Sequence, residues 1–381
     1  RPLLLPNKGV TLGATLRTIF ILGLLLNFAA EAARRRAPIF YKLWPGPLKL
    51  QNRIPLAGEQ SVTPKTAFTP GITVLFEDKL PGANWGHPAA IHIFAANHRE
   101  IETIETLLPP QNLKSAALVA PPLNVPTKIK MNLSDLGGQR RVTAPERFFA
   151  VLINGNPELR HWNDFSFLYQ TLVRVYGYRS ENIFVADSTN RKGDADLDGD
   201  GKGDIRYEST KEGVQEIFDR LRNLLTDKDH VFLAVNDHGY SGDNGASLVL
   251  QNGEIDAKTF RAMLDGWAPA RMLSLFQQCF GGGFVRPFAG QRQVALSASS
   301  DLEFSWANED LTFDEFTYHL VGAFAGQTPD GRRIDADTNA DGRVSAQEAF
   351  AYATAHDTTE ETPRLENLPN AGDSALMGLG F

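Results

Sequence analysis

The sequence predicts an α/β protein: a mostly parallel sheet with helices on both faces, plus a β-rich N-terminal region. Two observations carry this prediction. From Phe148 onward, short continuous apolar runs alternate with segments of helical spacing, as expected when strands are covered on both sides by crossover helices. Before that point, residues 41–75 carry Pro45, Pro47, Pro55, Pro64 and Pro70 and read as extended chain with turns, and short strand-like runs follow them. Apolar residues make up 42% of the 381 and charged residues 22%, which builds a core and excludes collagen, coiled-coil and disordered readings. A formal charge of −7 opposes a basic nucleic-acid surface, so no nucleic-acid partner is expected.

Four regions follow along the chain: 1–40, 41–145, 146–330 and 331–381. In the first, the apolar run 18–26 is followed by Ala30-x-Ala32 and Arg34, Arg35 and Arg36. It is shorter than the ~20 residues of a membrane span. It fits either a signal-peptide or anchor remnant or an apolar helix packed on the body. The second region predicts strands at 72–77, 90–95 and 115–120, with alternation again at 128–133. Its histidines, His87, His92 and His98, form no ligand pair and are expected at the surface or partly buried.

The third region predicts a strand at 148–154, then a helix over 162–177 with Phe165, Leu168, Leu172 and Val175 on one face. A strand at 182–187 precedes a helix over 210–225, capped by Ser209 or Thr210. Strands at 230–237 and 246–251, a helix near 257–265, strands at 271–279 and 293–299, and a helix over 313–326 complete it. The end, 356–381, carries Pro363 and Pro369 and reads as a tail laid on the surface or loosely ordered.

The chemistry points to two strand ends. His238 opens "HGYSG" after one apolar strand, and Cys279, the only cysteine, opens "CFGGGF" after another. A thiol of ordinary pKa near 8.5 needs a base to become a strong nucleophile, and His238 supplies one if both strands end at the same rim. The glycines allow close backbone approach, and the amides of Gly239 and Cys279 are candidates for an oxyanion hole.

These residues resemble the caspase–legumain superfamily of cysteine peptidases, over roughly 146–326. "HGYSG" (238–242) resembles the His-Gly-x-x-Gly of the legumain branch, and "RHWND" (160–164) resembles its Arg-His-x-x-Asp. The resemblance implies a caspase-like fold, a peptide or protein substrate, and a role for Arg160 in the pocket for the P1 side chain. Two positions depart from the pattern. Gln277 stands where the legumain branch has Glu, removing a charge from that pocket. Glu158 stands where that branch has the Asn that orients the histidine, so Glu158, Asn154 or Asn156 is the third catalytic member. Ser300 and Glu303 are further substrate-binding candidates. Glu303, Glu309, Asp310 and Asp314 compete to complete the pocket, and an inward acid admits a basic P1.

Two acidic loops predict calcium. "DTNADGRVSAQE" (337–348) fits the EF-hand loop: Asp337, Asn339, Asp341, the backbone of Arg343, Ser345 and Glu348 at ligand positions, with Gly342 at the turn. In "DADLDGDGKGDIRYE" (194–208), Asp196, Asp198, Asp200 and Asp204 form a tighter Asp-rich loop without a closing Glu. Calcium at two loops fits a secreted or periplasmic setting. The expected function is a calcium-stabilised cysteine endopeptidase. The alternatives are an inactive calcium-binding or assembly protein of the same fold, and a legumain-like transpeptidase.

Overall fold

A computed structural model describes residues 39–43, 54–56, 61–65, 73–79, 83, 88–94, 100–108, 110, 117–118, 129–134, 140–155, 158–188, 195–367, 373–375 and 377–380. The apolar run 18–26, His87, His98, Asn156 and Asp194 lie outside them. Among the described residues no helix is long and apolar enough to cross a membrane.

The N-terminal region is β-rich as expected. Its strands are β1 (Ile39–Leu43), β2 (Ile54–Pro55), β3 (Ser61–Val62), β4 (Thr73–Asp78), β5 (Ala89–Phe94), β6 (Glu100–Thr106) and β7 (Ala117–Leu118). Five form an antiparallel sheet in the order β6-β5-β4-β1-β7. Val74, Phe76, Ile91 and Ile93 turn to a covered face while Leu75 and Glu77 are half-buried, the alternation of a sheet covered on one side. His92 is part-buried, 3.0 Å from Glu77 Oε2 and 3.3 Å from Thr103 Oγ1. The alternating stretch near 128–133 is not a strand. Over 129–134 it runs irregularly, and Asn132 N donates to Pro329 O at 2.7 Å.

The larger sheet consists of β8 (Phe148–Asn154), β9 (Ile183–Asp187), β10 (Ile205–Glu208), β11 (His230–Val235), β15 (Arg271–Phe276), β16 (Gln293–Ser297) and β17 (Arg364–Glu366). A separate antiparallel sheet contains β12 (Gly239–Gly242), β13 (Gly245–Leu250) and β14 (Gly253–Asp256). The large sheet runs β10-β9-β8-β11-β15-β16-β17, parallel throughout except at β17. Every residue of β8 is buried. Phe148, Ala150 and Leu152 join one core, and Phe149, Val151 and Ile153 the other.

Helices cover both faces. On the first lie α1 (Leu159–Gln170), α5 (Glu315–Ala325) and α6 (Ala346–His356); on the second, α2 (Lys211–Leu224), α3 (Ala257–Ala262) and α4 (Gly282–Phe288). Helix α1 starts three residues before the expected boundary and passes into a π-turn over Thr171–Tyr176, ended by Gly177 at φ 73°. Thr210 caps α2, accepting from Gly213 N at 3.0 Å.

The tail departs from expectation. β17 pairs antiparallel with β16, Met377 and Leu379 are buried, and Tyr178 Oη donates to Leu379 O at 2.7 Å. Its apolar residues are too sparse to show a period, so the partners that order them lie far away in the chain.

Candidate active site

Strand order decides what meets at the rim. β9 packs on one side of β8 and β11 on the other, so the direction of winding reverses between β8 and β11, where α/β sheets open a crevice at their carboxyl ends. Glu158 follows β8, His238 follows β11, and Cys279 follows the adjoining β15. Just past the strands the ladder continues through Asn236 N to Ile153 O at 3.0 Å and Gln277 N to Val235 O at 2.9 Å. The His238 and Cys279 turns then touch backbone to backbone. A Cβ on Gly239 would collide with the Cys279 carbonyl oxygen. The two residues therefore share one rim, and position 239 admits only glycine.

The cysteine sits on a tight turn. Phe280 adopts φ 60°, a left-handed conformation unfavourable for a bulky residue, and donates its amide to Glu303 O at 2.9 Å. Behind it, a Cβ on Gly282 would come within 2.6 Å of Asp301 N, so the start of α4 needs glycine to pack on this loop. The sulfur accepts from Ser305 N at 3.4 Å and donates to Ser305 O at 3.9 Å.

Glu158 occupies the N-cap position of α1 but makes no cap bond with its side chain. Its carboxylate instead reaches His238 Nε2 at 3.3 Å and Arg160 Nη1 at 2.5 Å. Of the two alternative orienting residues, Asn154 Nδ2 donates to Asp187 Oδ2 at 2.7 Å, and Asn156 lies outside the described residues. Arg160 is buried, with Nε 3.1 Å from Asp314 Oδ1 and Nη2 donating to Ala83 O at 3.3 Å. Neighbouring carboxylates thus account for a cation at a helix start, and the fork is already engaged. Of the four acids expected to compete for the pocket, Asp314 is the buried one, and it also lies 3.5 Å from His161 Nε2. His161 packs its ring 5.1 Å from that of His238, tilted by 57°. Asp164 accepts from Asn236 Nδ2 at 2.8 Å and from Asp314 N at 3.2 Å.

Electrostatics follow from burial. Burial works against the Glu158 carboxylate, but Arg160 and the hydrogen bond to His238 outweigh it and hold the group far below the usual carboxylate range. Burial pushes His238 down to about 4, against the pull of Glu158. Burial pushes the Cys279 thiol well above its ordinary value, against the Ser305 hydrogen bonds. At neutral pH this closed arrangement therefore holds a thiol and a neutral imidazole. Asp164 and Asp237 are both pushed well above the carboxylate range, first by burial.

The remaining expected pocket residues divide. Gln277 is buried and accepts from Thr317 Oγ1. Ser300 and Glu303 bind each other: Glu303 Oε1 accepts from Ser300 N at 2.9 Å and from Thr362 N at 2.6 Å, so the carboxylate staples a loop. Asp310 turns onto Thr312, and Glu309 is exposed. Sequence reasoning missed Ser305, Asp237, Glu361 and Ala83. Glu361 is buried, pushed above the carboxylate range by burial, and accepts from Trp306 N at 2.8 Å.

The two acidic loops share one backbone design. Gly199 and Gly201 have φ 77° and 87°; Ala340 and Gly342, at the same places in the second loop, have φ 57° and 84°. The leading aspartate accepts from the sixth residue in both: Gly201 N to Asp196 at 2.8 Å, Gly342 N to Asp337 at 2.7 Å. Asp198 and Asn339 accept from Asp200 N and Asp341 N, and these accept in turn from Lys202 N and Arg343 N. The first loop is thus closer to the second than its sequence indicated. They differ in closure. Asp196, Asp198 and Asp204 bring carboxylate oxygens within 4.8 Å of one another, while Asp200 lies outside that group. Asp204 also ties its loop to α1, accepting from Tyr169 Oη at 2.6 Å. Glu348 instead closes a capping box with Ser345 and accepts from Thr338 N at 3.0 Å.

Fold and site together define an α/β protein with a histidine and a cysteine on adjoining strand ends of a mostly parallel sheet. No protein-family model and no curated sequence matches the chain. Among solved structures it is similar to caspase-1 from Spodoptera frugiperda, at 11% identity and TM-score 0.37, over 63% of this chain and 94% of that one. It is also similar to the Drosophila initiator caspase Dronc, at 10% identity and TM-score 0.35, over 65% and 93%.

Proposed function

We propose that the chain is a cysteine endopeptidase of caspase-like plan, with Cys279 as nucleophile, His238 as general base and Glu158 as the group that orients it. One observation carries this reading: Gly239 meets the Cys279 carbonyl while Glu158 lies 3.3 Å from the His238 ring. His238 takes the thiol proton as the sulfur attacks the scissile carbonyl, and returns it to the leaving amine. Arg160, Gln277 and Asp314 line the P1 pocket on this reading. Arg160 is offset by two carboxylates, which disfavours an acidic P1 and favours a neutral polar or basic one. Calcium in the two Asp-rich loops is part of the proposal, supported by their shared ladder of amide-to-carboxylate bonds.

The test is labelling with thiol-reactive peptide probes differing only at P1, with and without calcium. Wild type is expected to react with probes of neutral or basic P1. Cys279→Ala is expected to abolish labelling, and His238→Ala to slow it by about 10³-fold. Equal labelling of denatured and native protein by every probe rejects the reading. A second reading, an inactive binding or assembly protein, is favoured by the full burial of Cys279. It predicts no hydrolysis of any peptide even when the thiol is made accessible.

A further inference from the structure

The chain contains three asparagine–glycine pairs: Asn154-Gly155, Asn244-Gly245 and Asn252-Gly253. Asparagine is thermolabile, most of all before glycine, which has no Cβ to shield its backbone nitrogen from the neighbouring side-chain amide. The structure separates the three pairs. Asn154 is buried and its Nδ2 donates to Asp187 Oδ2 at 2.7 Å, while Asp237 Oδ2 fills the place of a Cβ on Gly155. Asn252 is held at both ends of its amide. Its Oδ1 accepts from Lys211 N at 2.9 Å and its Nδ2 donates to Glu212 Oε2 at 2.7 Å. Asn244 stands at the exposed tip of the β12–β13 hairpin, and its side chain makes no hydrogen bond with any described residue. Gly245, at φ 88°, has nothing within 4 Å of where a Cβ would stand. Of the three amides, this one alone is free to turn onto the nitrogen that follows it.

We propose that Asn244 is a modification site, at which the folded chain converts its own amide to aspartate and isoaspartate. The Gly245 nitrogen bonds to Cγ of Asn244, the Cγ–Nδ2 bond breaks, and the proton lost from Gly245 leaves with that nitrogen as ammonia. The product is a cyclic succinimide. Water then adds at one of its two carbonyls. Opening on the side-chain side gives aspartate with the original backbone, and opening on the main-chain side routes the backbone through Cγ and gives isoaspartate. Water is the only co-reactant, and nothing is oxidised or reduced. Both products set a new carboxylate beside Asp243. Isoaspartate also adds a methylene to a hairpin whose first two strands pair over only four positions, from Gly239↔Leu248 to Gly242↔Gly245. The same hairpin holds Gly239 against the Cys279 carbonyl, and Val249 N donates to His238 O at 3.0 Å. Ageing at the tip therefore loosens the strand pair that leads to the candidate site, whether or not that site cleaves peptides.

The test is incubation of the folded full chain at mildly alkaline pH, followed by peptide mapping in a mass spectrometer. The peptide carrying Asn244 is expected to exchange NH2 for OH about tenfold faster than those carrying Asn154 and Asn252, whose amides are held. The aged chain is expected to accept methyl groups from an isoaspartate methyltransferase, and the aged Asn244→Ser variant to accept none at this peptide. In urea the three rates are expected to converge, because the contacts that protect Asn154 and Asn252 are gone. Hydrogen exchange at 246–249 is expected to be faster in aged wild type than in fresh, and unchanged by ageing in Asn244→Ser. Equal rates at the three asparagines of the folded chain, or an Asn244 peptide that stays unmodified, overturn the proposal. Modification that leaves exchange at 246–249 unchanged overturns its claim on the hairpin.

Discussion

At the rim of the large sheet, Arg160 faces Glu158 and Asp314, and His238 faces Glu158; Arg160, Asp314 and His238 are buried and Glu158 is half-buried. In the two Asp-rich loops, Asp196 and Asp337 face backbone amides close to solvent. Both regions concentrate charge, but they settle it differently. The rim neutralises its charges internally with side chains from the turns after β8 and β11, from α1 and from the residue preceding α5, so its geometry depends on each partner and on pH. In the first loop, burial and neighbouring aspartates raise Asp198 and Asp204 from their ordinary value. Where charge is paired by protein, losing a partner is costly; where it is left over, adding an ion is favourable.

The largest effect that can break this comparison is Asp314→Asn. It leaves Arg160 short of a buried partner, and a loss of about 3–5 kcal/mol is expected in urea unfolding. A loss below ~1 kcal/mol would mean that the rim does not depend on its internal pairing.

Next is acid sensitivity. His238 is lowered from 6.5 to about 4, so between these values the unfolded chain takes up a proton that the folded chain does not. Stability is then expected to fall by about 3 kcal/mol as pH drops from 6.5 to 4. Glu158 acts in the same direction: its folded value is depressed, so its contribution is full above 4.5 and lost as pH falls further. Unfolding midpoints across this range test the slope, and His238→Gln should flatten it.

For the loops, calcium at about a hundredfold excess over its dissociation constant is expected to stabilise the protein by about 2.7 kcal/mol per site, reversed by chelator. Asp196→Asn and Asp337→Asn should each remove their site's share. Identical unfolding curves with calcium and with chelator would end the loop half of the comparison. The smallest expected effect is Glu348→Gln without calcium, about 1 kcal/mol, from the weakened capping box of α6. A larger loss would show that Glu348 supports more than its helix.

Much of this architecture is legible in the sequence for local reasons. A strand buried on both faces, such as β8, must be apolar at every position, and a covered helix must repeat its apolar residues, so both leave a pattern within a few residues. The candidate nucleophile and base were legible because glycine follows His238 directly and Cys279 one residue later, marking where two backbones need to meet. Asp314 was one of four similar acids, and only its burial against Arg160 distinguishes it. Glu361 and Ser305 carried no sign, since a buried carboxylate or serine beside a sulfur looks like any other until the chain is folded.

From the order of its residues alone, the chain determined that it would build a covered sheet, place His238 and Cys279 at strand ends, and repeat an aspartate-rich loop, because backbone periodicity and turn chemistry act over a few neighbours. Tertiary structure decided that Arg160 is bound by Glu158 and Asp314, that the tail completes the sheet as β17, and that Ala83 lies on Trp306. Apart from Glu158 with Arg160, those pairings join residues scores of positions apart, and such contacts exist only once the sheet has brought its strand ends together.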